Sequence, residues 1–150
     1  MQVKIKLRPF LGVSLVVLLL ATVYLLRLQE YRLNRTVRNV AMRLVQVETL
    51  SRTTRVDYRL VFWNNTCRVD VFDRSTNRWK PYADTAYSKG VLSQPVGLEV
   101  VFSQGRFKEY RLGEGKGKSP RYLIIEFLVA GTEKKRGIIF YQDGNWRVLS

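Results

Sequence analysis

Residues 10 to 26, FLGVSLVVLLLATVYLL, hold 17 consecutive positions without a charged side chain. No other stretch restricts the fold as strongly. At 1.5 Å per residue a helix of this length covers about 25 Å, the short end of what crosses a bilayer. Arg8 and Arg27 flank the run, and their long stems can extend it by reaching toward the headgroups. A secretory signal would end its apolar core at small residues. Here the run closes on Leu25, Leu26 and Arg27, a poor cleavage site. Retention as an anchor is therefore expected over removal at that end.

Helical character continues past the apolar run. From Arg27 to Arg55 there is no Gly and no Pro. Leu33, Val37, Val40, Leu44 and Val47 follow spacings of four, three, four and three, one apolar face of an amphipathic helix. Arg32, Arg35, Arg38 and Arg43 fall largely off that stripe. Anchor and stem thus read as one helix of about 45 residues, roughly 65 Å long. Helices of that length usually belong to an anchor, a coiled coil or a filament.

At about Val56 the periodicity changes from helical to alternating. VDYRLVFW and TCRVDVFD flank Asn64 and Asn65 and read as a β-hairpin. Residues 73 to 81 read as a turn followed by irregular chain. Residues 81 to 97, with Pro81, Gly90, Pro95 and Gly97, read as a long loop. LEVVFS and FKEYRL form a second hairpin across QGR. RYLIIEFLVA and RGIIFYQ form a third across GTEKK, and NWRVL closes the chain after the Asp143-Gly144 turn. About seven antiparallel strands are predicted. The expected fold class is α+β: a long N-terminal membrane-anchoring α-helix whose C-terminal half packs on an antiparallel β-sheet domain. The expected segments are 1–12, a basic leader; 13–55, the anchor and stem helix; and 56–150, the β-rich domain.

Composition limits the chemistry. The chain has no histidine and one cysteine, Cys67, so it can form neither an intrachain disulfide nor a His-based catalytic centre nor a Cys/His zinc site. Cys67 lies in the alternating NNTCRVDVF and reads as a buried structural thiol, with no imidazole to activate it. Asp57, Asp70 and Asp73 sit on neighbouring strands. The three-residue offset of Asp70 and Asp73 sends them to opposite faces, which argues against a paired acid/base site. No catalytic residue, metal or cofactor is expected.

LGEGKGKSP, residues 112 to 120, resembles the end of a phosphate loop. Leu112 stands where the opening glycine is needed, and Pro120 with a strand follows where a helix should begin. A basic hairpin loop accounts for it better. The formal net charge is +14, and removing Lys4, Lys6 and Arg8 still leaves about +11. Such an excess suits anionic lipid, nucleic acid or an acidic protein face, and equally a solvated surface. Lys116, Lys118, Arg121, Lys134 and Lys135 are the candidate anion or nucleic-acid contacts. Asn34-Arg35-Thr36 and Asn64-Asn65-Thr66 match the glycosylation pattern, a match that often arises by chance.

The N-terminus resembles that of bacterial type IV pilin-like proteins. Lys4, Lys6 and Arg8 precede Gly12, which matches the leader glycine, and VSLVV follows. Val13 and Ser14 stand where Phe and Thr are usual, Leu15 and Val16 match, and Val17 occupies the position of the family's Glu. VRNVAMRLVQVETLSRTTRVDYRLVF is similar to the helix-to-first-strand segment of GspH/FimT-type minor pseudopilins, and GIIFYQDGNWRV to their closing strand. The resemblance implies a pilin-like fold and a structural role. It implies cleavage between Gly12 and Val13 by a prepilin peptidase, followed by N-methylation. It implies assembly with other pseudopilins or minor pilins through Leu15, Val16, Val17, Leu18, Leu19 and Leu20. The setting would be the bacterial inner membrane, single-pass, with the globular domain in the periplasm. Val17 replaces the Glu that pairs with a neighbour's N-terminal amine in apolar surroundings, which fits a tip or priming subunit or else an unprocessed, diverged and anchored relative. Alternatives are a DNA-binding minor pilin for uptake and a membrane-anchored interaction domain outside the pilus pathway.

Overall fold

The computed structural model describes residues 8–113, 115–117 and 121–149. One helix, α1, runs Arg8–Thr54. The chain divides into two compact units, Met1–Tyr31 and Arg32–Ser150. In the first, every side chain described from Gly12 to Arg27 is exposed. In the second, Leu33, Val37, Val40, Leu44 and Val47 are each no more than 2% exposed, so the stripe read from the spacing is the face that packs. Burial of five such side chains contributes on the order of 10 kcal/mol. The helix ends where Arg55 takes a left-handed conformation, φ 54°, and Arg74 Nη2 donates to the Arg55 carbonyl at 2.6 Å.

Ten strands follow: β1 Tyr58–Phe62, β2 Thr66–Asp73, β3 Arg78–Ala86, β4 Val91–Gln94, β5 Leu98–Ser103, β6 Arg106–Leu112, β7 Gly115–Gly117, β8 Tyr122–Val129, β9 Lys135–Tyr141 and β10 Trp146–Leu149. They form two antiparallel sheets, ordered β3-β2-β1-β5-β6-β7 and β10-β9-β8-β4. Tyr58, Leu60 and Phe62, Val100 and Phe102, and Ile125, Phe127, Ile138 and Phe140 share one core with the helix stripe. Phe62 and Phe127 meet edge to face at 6.4 Å, and Phe107 lies 5.5 Å from Phe140.

The three expected hairpins form as β1–β2, β5–β6 and β8–β9, and β10 returns beside β9. The expected strand count is corrected from about seven to ten among the described residues. Residues 78 to 86 are a strand, not irregular chain. Pro81 is accommodated because β3 is an edge strand and its register against β2 shifts at Val69/Asp70. Part of the expected 81–97 loop is β4, where Ser93 is fully buried and Val91 1% exposed. Ser93 donates to the Trp63 carbonyl at 2.7 Å, so Tyr87, 3.1 Å away, donates its phenol proton to Ser93. Within the expected loop at 112–120, Gly115–Gly117 pairs with β6.

Candidate functional site

The first unit presents an apolar cylinder. Val13 is 64% exposed, Val17 60% and Leu20 65%, with Leu15, Val16, Leu18 and Leu19 similarly bare. The helix is long and apolar enough to cross a membrane. Thr22 adds little polarity, because its hydroxyl donates back to the Leu18 carbonyl at 2.8 Å. Gly12 lies inside α1, and a Cβ placed on it would meet nothing within 4 Å. A glycine in a helix interior costs roughly 1 kcal/mol relative to alanine. Neither packing nor backbone conformation requires it at this position.

The candidate basic contacts are not gathered into one patch. Lys116 is on β7, opposite Arg111 of β6. Lys118 lies outside the described residues. Arg121 immediately precedes β8, whereas Lys135 opposes Leu128 near the far end of that strand. At 3.3 Å per residue, roughly 20 Å separates them. Lys135 Nζ is held by Glu126 Oε1 at 2.9 Å. Lys134 lies in the β8–β9 turn, where its carbonyl accepts from Val129 N–H.

The carboxylates are likewise engaged separately. Asp57 meets Lys108 at 3.3 Å, Asp73 pairs with Lys80, and Asp70 binds Arg59 Nε at 2.8 Å. Lys80, then Ser75 and Thr76, hold the Asp73 carboxyl well below the usual carboxylate range. Cys67 is fully buried, as expected, and burial pushes its thiol far up, outweighing the opposing effect of Arg43. Burial similarly raises the Tyr87 phenol. Among the described residues no three His, Cys, Asp or Glu side chains come together as a metal ligand set.

Sequence reading missed an ion network on the outer face of the six-stranded sheet. Arg59 of β1 lies between Asp70 of β2 and Glu99 of β5, with contacts of 2.8 and 3.0 Å. Its guanidinium stacks 4.9 Å from the Trp79 ring centroid. Arg68 Nε adds a second cation 2.9 Å from Asp70, and Arg111 pairs with Glu109 at 3.0 Å. Val61 and Val101 on this face are only 2% exposed beneath these side chains. The signal was present in strand parity, since Arg59, Asp70 and Glu99 all occupy the polar phase of their strands. The register that joins them was not.

A long N-terminal helix whose second half packs with two antiparallel sheets is a pilin-like α+β fold. The solved structures that share it include the minor pseudopilin EpsH from the type 2 secretion system of Vibrio cholerae. One EpsH structure matches with a TM-score of 0.61 and 9% identity, over 79% of this chain and 97% of that chain. A second EpsH structure matches with a TM-score of 0.61 and 8% identity, over 82% and 96%. At such identities the likeness is one of fold. No protein-family model matches the chain, and no curated protein sequence matches it.

Proposed function

We propose that the chain is a minor pseudopilin-like structural subunit. Residues 13 to 26 anchor it in a bacterial inner membrane, with the strands on the periplasmic side. A prepilin peptidase cuts between Gly12 and Val13, and Leu15 to Leu20 then pack against the helices of other pseudopilins. The observation that carries this reading is a charge-free, exposed helical run joined to a pilin-like fold. Gly12 supports it, because a helical glycine with open space around it has no structural reason of its own.

Val17 refines the position within an assembly. No carboxylate occurs between residues 10 and 26, so the run offers nothing to pair with a neighbour's terminal amine. A subunit at the tip makes no such pair with a subunit ahead of it. Intact mass of the protein extracted from its host's membranes tests the proposal. The expected mass begins at Val13 and includes one methyl group, and Gly12→Asp should leave the full-length mass. A full-length mass for the unaltered protein would overturn processing and leave an anchored β-domain.

A further inference from the structure

The sheet edges among the described residues are β3, β7, β10 and β4. A strand edge with free main-chain groups is a template for another strand, so folded chains usually keep such edges short or covered. β7 has three residues, and β10 and β4 have four each. Two amides of β4 are also taken, Val91 N–H donating to the Ser88 carbonyl and Ser93 N–H to the Asn64 carbonyl, each at 3.0 Å. β3 has nine residues. Its phase is fixed by Tyr87 N–H, which donates to the Asn65 carbonyl at 2.9 Å. Alternate residues of an antiparallel strand direct their main-chain groups to opposite sides. Ala83 and Thr85, opposite Val69 and Cys67, therefore bond β2, whereas Asp84 and Ala86 direct N–H and C=O away from it. Those four groups have no partner among the described residues. Beyond them Ser88 N–H is taken by the Thr36 hydroxyl of α1 at 2.9 Å. Before them Pro81 and the register shift at Val69/Asp70 interrupt the edge.

An open recess of about 360 Å³ lies along this length. Asp84 and Thr85 line one side, and Asn39, Met42, Arg43 and Gln46 of α1 the other. Both walls belong to the Arg32–Ser150 unit. Arg43 ties them together, with Nε donating to Thr85 Oγ1 at 3.0 Å and Nη1 to Gln46 Oε1 at 2.6 Å. Gln46 keeps its amino group and Asn39 its whole carboxamide without a partner among the described residues. Met42, 56% exposed, adds one apolar contact. One wall thus offers main-chain donors and acceptors at strand spacing, and the other offers carboxamides. That combination matches an extended polypeptide backbone. A nucleic acid would meet the Asp84 carboxylate on the strand wall. An acyl chain would leave the carboxamides and the edge amides without partners. A second copy is opposed by the net charge of +14 that each chain carries.

We infer that the β3 edge at Asp84–Ala86 binds an extended segment of a different protein as an added strand beside α1. The segment alternates, with an apolar side chain toward Met42 and a polar one beside Asp84. This goes beyond the assembly of the N-terminal helix and does not rest on processing at Gly12. The test uses the full chain in its host's membranes, with a diazirine amino acid at Met42 or, as control, at Tyr122 on the other sheet. The expected adduct joins Met42, and not Tyr122, to a different protein. Ala86→Pro removes an outward N–H donor and no bond to β2, so it should lower the yield about tenfold or more. Ala86→Ser changes the side chain and keeps the N–H, so its yield should match that of the unaltered chain. β3 already holds Pro81, and circular dichroism of the purified Ala86→Pro variant should match the unaltered chain. Should that variant lose its fold, hydrogen exchange of the unaltered chain decides. The amides of Asp84 and Ala86 should exchange freely in the purified protein and about tenfold more slowly, or slower still, in the membranes. A yield lowered equally by Pro and Ser, or untouched by Pro in a folded variant, would overturn the inference. So would an adduct with lipid or a second copy, no adduct, or edge amides that exchange alike in both settings.

Discussion

Asp70 is 1% exposed and carries a charge, so its neighbours decide whether it is tolerated. Arg59 and Arg68 both reach it, at 2.8 and 2.9 Å. Removing its carboxylate takes the shared partner from two largely covered cations, Arg59 at 16% and Arg68 at 35% exposed, of which Arg59 alone keeps a second carboxylate, Glu99, and this costs about 3 kcal/mol or more. Arg52, paired with Glu48 but 66% exposed, belongs to the class worth less than about 1 kcal/mol. Urea unfolding of residues 28–150 should therefore separate Asp70→Ala from Arg52→Ala by about 2 kcal/mol or more. Equal losses would mean that the cluster is solvated. Cys67 gives a pH-dependent counterpart. In the unfolded chain its thiol ionises near pH 9.0, whereas the folded state keeps the proton well above that. The unfolded state then binds fewer protons, so stability falls as pH rises beyond 9.0, by at most about 1.4 kcal/mol per unit. Cys67→Ala should flatten that decline. An unchanged slope would locate the titration elsewhere. The sequence showed Cys67 as a buried thiol because its strand alternates. It showed Asp70 only as one dispersed carboxylate, because the Arg59–Asp70 register is set by pairing between strands.

Among the elements, α1 was the most legible. Its stripe follows a period that nothing interrupts, and all five stripe residues are buried. Packing rather than propensity maintains its second half, which makes adjacent positions unequal. Leu44 is fully buried and Val45 is 53% exposed. Leu44→Ala should lower the stability of residues 28–150 by about 3 kcal/mol, and Val45→Ala by no more than about 0.5. Comparable midpoint shifts in urea would place the helix elsewhere than on the sheets. The strands were legible where alternation is strong and turns are short, as in β1–β2 and β8–β9. β3 and β4 were not. β3 contains Pro81 and exposes most of its side chains, and β4 buries Ser93, so neither follows a simple apolar alternation. Both depend on the strand beside them, which a local reading does not contain.

For the whole molecule, the sequence divided anchor from β-domain by composition, and the contacts place the boundary at Tyr31/Arg32. The amphipathic half of the helix belongs with the strands because it supplies one side of their core. The scattering of the candidate basic residues was not legible. Arg121 and Lys135 are close in sequence spacing across a hairpin yet lie at opposite ends of β8. Removing Lys4, Lys6, Arg8 and Arg27 reduces the formal +14 to +10 for residues 28–150. That fragment retains the core residues and loses the bare apolar run, while its copies share one sign of charge. It should be soluble and monomeric at physiological ionic strength, where charges interact over about 8 Å. It should also unfold in one urea transition with a slope of about 1–3 kcal/mol per molar. Sedimentation checks the first and a denaturation curve the second. Aggregates that resist refolding, or two separate transitions, would show that residues 8 to 27 are needed to complete the core. Because the cations are dispersed and many are paired, DNA binding by this fragment should be weak and independent of sequence, and should vanish as salt is raised. Tight binding to one DNA sequence that survives physiological salt would instead require a focused basic surface, and would favour an uptake role over a secretion pseudopilus.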